Sequence, residues 1–288
     1  MTHNNFSYYL ELTKPRVTLM VLITTLVGFY LGAQGEVNAL LLLHTLLGTA
    51  LVAGGTSALN QYLERDIDAK MRRTQNRPLP TGRLTPRQAL IFACSIAFIG
   101  LIYLVLAVNL LTASLAAATL ISYAFMYTPL KQKTSLSTLV GAIPGALPPV
   151  GGWAAARNDL SIEAWVLFTI LFLWQLPHVL AISWLYSEDY KRGGFPLLPI
   201  LDPQGKSTSR QIISNCLALL PVSLLPTIIG LAGPVYFVGA FILGLIFLGF
   251  GILVAIEKNN LSARRLMLAS LAYLPALLGL LTFDKTSF

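Results

Sequence analysis

Asn60, Glu64 and Asp68 recur at every fourth position of a 288-residue chain. On a continuous helix such residues share one face, drifting by roughly 40° per step over about 12 Å. An amide and two carboxylates are hard oxygen donors, the kind Mg²⁺ takes together with waters and substrate phosphates. Like charges stacked on one helix face are destabilising unless a cation offsets them. Asp66 lies off this stripe. Lys70, Arg72, Arg73 and Arg77 follow and suit phosphate oxygens. An ordinary solvated helix end is the alternative reading. Against it, the stripe begins beside an apolar segment, where ionisable groups are functional by default.

A second cluster, Glu188 and Asp189 with Lys191 and Arg192, follows another apolar run. Alone it is equally well read as a solvated loop. Paired with the first, it predicts a diphosphate clamped by Mg²⁺ at a membrane surface, with Asp189 and Glu188 placed to hold a second cation and Lys191 and Arg192 to bind phosphate. Trp174, Gln175, His178 and Trp184 lie within the preceding run. His178 either hydrogen-bonds a neighbour or contacts substrate or a haem iron. His44 and His3 are read as ordinary polar residues. Cys94 and Cys216 lie inside apolar runs, which predicts two buried free thiols and no disulfide framework.

The elements that must position these groups follow from composition. The chain is 55% hydrophobic and only 11% charged, with a mean hydropathy of +0.70. Soluble domains carry about 25% charged residues. There is too little polar material here to coat a soluble fold. This excludes a soluble enzyme, a disordered tail and a disulfide scaffold. The apolar runs are about 20 residues long and continuous, unlike the alternating strands of a porin-type barrel. Nine are counted, near 17–33, 38–59, 89–108, 110–127, 137–156, 164–185, 212–231, 235–256 and 266–282. Only Asn109 separates the third from the fourth, which is read as a tight hairpin or a misplaced boundary.

With the N-terminus inside and strict alternation, 18 of the 20 Lys and Arg residues fall on the inner side, all but Arg157 and Lys285. The positive-inside rule thus supports nine spans with a cytoplasmic N-terminus. It also explains the net charge of +8 without nucleic acid. Residues 1–16 are mixed and polar, so no removable signal peptide is read. The inner loops 60–88 and 186–211 are long and all other connections short. The two long loops suggest two similar halves, although the whole of 1–288 is read as one transmembrane domain. The fifth span carries Pro144, Pro148 and Pro149 among glycines. These are expected to break or kink it where it lines a substrate chamber.

Asn60-x-x-x-Glu64-x-x-x-Asp68 followed by Arg73-Thr74-x-Asn76-Arg77-Pro78-Leu79 resembles the first motif of the UbiA-type intramembrane prenyltransferases. Tyr127-Thr128-Pro129-Leu130-Lys131, the Gly141–Pro149 stretch, and Trp174-Gln175-Leu176-Pro177-His178 through Asp189-Tyr190 are similar to the branch that farnesylates protohaem IX. The resemblance runs from about Leu12 to the last span. It implies an all-α integral membrane fold, nine spans around a central cavity. It implies a metal and diphosphate site at Asn60, Glu64, Asp68 and Asp189. Many members have Asp where Glu64 stands. Lys70, Arg73, Arg77, Lys131, Lys191 and Arg192 would bind the diphosphate. Tyr62, Trp174, Gln175, His178 and Trp184 would meet the haem or prenyl group, with iron ligation one alternative for His178.

The reaction implied joins the farnesyl group of farnesyl diphosphate to a haem B vinyl group with addition of water. Mg²⁺ would be the cofactor, and membrane lipid the surroundings. A haem A synthase or terminal oxidase assembly factor would be a partner, and a bacterial inner membrane the location. The rival within the superfamily acts on a quinone precursor. From other classes, a secondary transporter would place polar groups near the midplane, and an assembly factor would lack activity.

Overall fold

The computed structural model describes residues 5–286, so His3 lies outside the described residues. Nine helices among the described residues are long and apolar enough to cross a membrane. A short α1 (Asn5–Leu12) precedes them. The spans are α2 (Pro15–Gly32), α3 (Ala39–Asp68), α4 (Pro86–Ala107), α5 (Leu110–Leu130), α6 (Ser137–Arg157), α7 (Ile162–Leu185), α10 (Lys206–Ile228), α11 (Pro234–Glu257) and α12 (Asn260–Phe283). Between α7 and α10 lie two short helices, α8 (Ser187–Arg192) and α9 (Leu198–Leu201).

Local chemistry sets several ends. Asn109 accepts a hydrogen bond from the Thr112 amide at 2.7 Å and donates to the Ala154 carbonyl at 2.9 Å, fixing the α4–α5 hairpin. Thr85 and Gln88 form a reciprocal capping box before α4, with Pro86 in its first turn. Side chains such as Phe98, Leu106 and Phe283 point outward, as lipid-facing surfaces require. The main apolar core joins α2, α6, α7, α10, α11 and α12. Where α2 crosses α6, a Cβ on Gly28 would collide with the Pro149 backbone, and one on Gly152 with the Thr25 carbonyl. Small residues let these backbones touch without lipid between them.

As the stripe requires, α3 continues past the apolar run that ends near residue 59, for more than two further turns to Asp68. Two expectations change. The fifth span is not broken: α6 is continuous through Pro144, Pro148 and Pro149. Proline removes one helical donor each time, but packing by α2 and α7 holds the helix. Cys216 is buried, whereas Cys94 is exposed on the outward face of α4. An apolar run facing lipid exposes one side of its helix, so burial in sequence context is not burial in the fold.

Candidate active site

The extension of α3 beyond the apolar span carries the Asn60, Glu64 and Asp68 stripe as one inward face. Their relative exposures are 2%, 3% and 0%, which rules out a solvated cap. Each member meets a cation from a different part of the chain. Lys14 Nζ donates to Asn60 Oδ1 at 2.7 Å. Lys131 Nζ lies 3.3 Å from Glu64 Oε1. Arg77 donates to Asp68 Oδ2 at 2.6 Å. Asn60 Nδ2 also donates to Thr128 Oγ1 at 3.1 Å, tying α3 to the end of α5. Desolvation, reinforced by Arg77, brings the Lys14 ammonium down from its ordinary value to about 7. Asp66 points outward and pairs with Arg65.

Two cations lie against aromatic rings. Lys131 Nζ is 4.4 Å from the Phe195 ring centre and 5.6 Å from that of Tyr190. The Arg73 guanidinium sits 5.3 Å from both the Tyr186 and Tyr190 rings and donates to the Tyr190 hydroxyl at 3.0 Å. Met71, Tyr190, Phe195 and Leu197 form a small apolar cluster that joins the two long loops.

Asp189, expected as a further metal ligand, meets backbone donors. Its two oxygens accept the backbone N–H groups of Arg72 and Arg73 at 3.2 and 3.1 Å. Arg192 lies 3.5 Å from it. The short helix α8 aims this carboxylate at the loop after α3, where two successive amides need acceptors. Asp189 therefore shapes the loop that presents Arg73 and Arg77.

Below the polar cluster lies an apolar chamber of about 290 Å³. Val52 and Thr56 of α3, Val21 of α2, Pro144 and Pro148 of α6, and Gln175 of α7 are among its walls. Thr56 stands one turn before Asn60, so the helix face that lines the chamber runs on into the polar stripe. The segment Ser122–Tyr127 of α5 is π-helical, and Tyr123 and Tyr127 line the chamber with ring centres 5.3 Å apart. Tyr127 also lies 5.9 Å from Lys131 Nζ, between chamber and cluster.

Of the aromatic and polar residues expected to meet a haem or prenyl group, Gln175 lines this chamber; Tyr62, Trp174, His178 and Trp184 do not. Gln175 donates to the Ala142 carbonyl at 2.7 Å. Trp174 stacks on His178, and both bond to Ser270 of α12, the indole to its carbonyl at 2.9 Å and the imidazole to its hydroxyl at 2.6 Å. That is the hydrogen-bonding alternative for His178, and the neighbour lies on another helix. Trp174 and His178, four apart, share a face of α7 that Gln175 does not. Tyr62 packs beside α1 under Arg65, and Trp184 lies against Gly205. Lys70 and Lys191 are exposed at the polar end.

Sequence reasoning missed Lys14, Thr128 as a partner of Asn60, and the Tyr123/Tyr127 pair. A lysine directly before a span-opening proline and tyrosines four apart were the available signals. A divalent cation fits the stripe. Asp68 Oδ1 is buried and accepts no hydrogen bond among the described residues, and the neighbouring donors are hard oxygens. No three His, Cys, Asp or Glu side chains come together among the described residues as a ready ligand set. Two carboxylates and an amide thus leave positions for substrate oxygens.

Residues 21–274 match the model of the UbiA prenyltransferase family. The chain is 49% identical to a protein named protoheme IX farnesyltransferase from Solibacter usitatus (strain Ellin6076), over 96% of this chain and 98% of that one. A protein of the same name from Salinibacter ruber (strain DSM 13855 / M31) is 44% identical, over 96% of this chain and 98% of that one. Among solved structures, one described for digeranylgeranylglyceryl phosphate synthase superposes with a TM-score of 0.83 at 18% identity, covering 97% of this chain and 98% of that one. An apo UbiA homologue from Aeropyrum pernix K1 gives 0.72 at 20% identity, covering 91% and 95%. These similarities agree on the helical fold.

Proposed function

The chain belongs to the UbiA prenyltransferase family, and from that premise we propose that it transfers the farnesyl group of farnesyl diphosphate to a vinyl group of haem B. Water adds in the same reaction, and the products are haem O and diphosphate. The acceptor is inferred from the shared name of relatives that match the chain nearly end to end. The observation that carries the chemistry is the buried stripe at the head of an apolar chamber, each member already facing a cation.

In this reading Arg73, Arg77, Lys131 and Lys14 bind the diphosphate and stabilise the charge it gains on leaving. Asn60, Glu64 and Asp68 would hold Mg²⁺. Bound there, Mg²⁺ would supply Lewis-acid stabilisation of the departing diphosphate. The chamber holds the isoprenoid and keeps stray water from the allylic cation. Tyr123 and Tyr127 replace Tyr62, Trp174 and Trp184 as the rings placed to face that cation, since aromatic faces attract positive charge. The vinyl carbon attacks farnesyl C1 as the C–O bond to diphosphate breaks. Water then adds to the new cation and gives up a proton. Asp189 acts by fixing the Arg72–Arg73 backbone rather than by touching substrate.

The chain is read as one transmembrane prenyltransferase domain in a bacterial inner membrane, with its N-terminus and active site facing the cytoplasm. A haem A synthase or a terminal oxidase assembly factor would take the product. The test is incubation of purified protein with haem B, farnesyl diphosphate and Mg²⁺, followed by mass spectrometry of the haem extract. A species heavier by one farnesyl group plus water, lost on omitting Mg²⁺, is expected. Diphosphate release with a quinone precursor and none with haem B would overturn the acceptor. No transfer to any acceptor would overturn the reading.

A further inference from the structure

A second pocket lies at the same end of the bundle, away from the chamber. It has a volume of about 350 Å³ between the start of α10 and the end of α11. Lys206, Arg210 and Lys258 line it with Ser209, Ile213 and Ser214. None of the three cations has a side-chain ion pair or hydrogen bond among the described residues. Glu257, next to Lys258, is taken by Arg265 and Asn259.

The Ser209 side chain is 4% exposed, and its hydroxyl is buried with no hydrogen-bond partner among the described residues. A buried hydroxyl without a partner carries a desolvation cost that a bound acceptor removes. The backbone amides at the start of α10 do not make this site. Asp202 caps them, accepting from the Thr208 amide at 2.8 Å and its hydroxyl at 3.1 Å. Anion binding here rests on side chains.

The helix faces that continue from the pocket make the surface amphiphilic. On α10, Lys206, Arg210, Ile213 and Leu217 follow at helical spacing, charged first and apolar after. Leu217 points outward, as do Ile252 and Ile256 of α11. A ligand with an anionic head and long apolar tails matches this order, whereas a free anion would leave the apolar part uncovered. Basic pockets between helices at the cytoplasmic side suit anionic headgroups.

We propose that this pocket binds the phosphate of an anionic membrane lipid, with its acyl chains against α10 and α11. The test is native mass spectrometry of the full-length protein in detergent, with phosphatidylglycerol or phosphatidylcholine added. Retention of phosphatidylglycerol over phosphatidylcholine is expected. The Lys206→Ala/Arg210→Ala/Lys258→Ala variant is expected to lose about a hundredfold in that retention, because each of the three membrane-proximal cations is worth roughly fivefold. The Lys206→Arg/Arg210→Lys/Lys258→Arg variant, which keeps charge, is expected to retain the lipid and controls for folding. Equal retention of both lipids, or no loss in the alanine variant, would overturn the proposal. So would displacement of the lipid by excess inorganic phosphate or diphosphate, which would assign the pocket to a soluble anion. The readout is independent of prenyl transfer, so its failure leaves the reaction untouched.

Discussion

On α3, Asn60, Glu64 and Asp68 are enclosed, and each faces a cation drawn from elsewhere in the chain. On α8, Glu188 is exposed, and Asp189 spends its oxygens on the two amides of the opposite loop. Both clusters are acids followed by bases near the end of an apolar span. What separates them is helix continuity. The α3 helix carries its acids onto an inward face, whereas α7 stops at Leu185 and a separate short helix redirects the second cluster. Like residue types thus divide into a buried stripe faced by cations and a clasp that holds its loop.

The largest effect that would break this division is at Asp68. Asp68→Ala is expected to lower turnover by about 10²–10³, the scale of losing a main electrostatic group, in a steady-state transfer assay. A loss under tenfold would remove the stripe from the chemistry. Next comes Arg77→Met, which strands a buried carboxylate. It should cost about 3 kcal/mol of stability, read as a fall in the unfolding midpoint, besides weakening diphosphate binding. Wild-type stability would mean Asp68 has another partner.

Asp189→Asn should act less strongly and differently. Losing one anionic acceptor is expected to raise KM for farnesyl diphosphate by about tenfold, the price of a charged hydrogen bond. The Mg²⁺ concentration for half-maximal rate should stay unchanged, and the Arg72 and Arg73 amides should exchange hydrogen faster. The smallest effect belongs to Arg192→Ala, whose partly exposed pair with Asp189 at 3.5 Å is worth under about 1 kcal/mol. Rates within about threefold of wild type are expected, and a hundredfold loss would show that Arg192 contacts substrate.

The nine spans were legible in the sequence because apolar run length is set by bilayer thickness. The first stripe was legible because four-residue spacing on a helix fixes a common face. Which way a span turns its other side chains was not. His178 and Gln175 are three residues apart in one apolar run, yet one bonds to α12 and the other lines the chamber. Only packing decides that. Likewise, the π-helical turn that places Tyr123 and Tyr127 on the chamber depends on contacts with α6, and the Asp189 clasp depends on how two distant loops meet. Lys14 was counted only as an inner-face charge, since its reach to Asn60 spans 46 positions in sequence.

The most direct test of the division between stripe and clasp is calorimetric titration of an unreactive thio analogue of farnesyl diphosphate, with and without Mg²⁺, into wild type, Asp68→Asn and Asp189→Asn. The account predicts that Mg²⁺ strengthens binding to wild type and to Asp189→Asn by the same factor, and that Asp68→Asn loses that gain. Loss of the Mg²⁺ effect in Asp189→Asn, with Asp68→Asn unaffected, would contradict it.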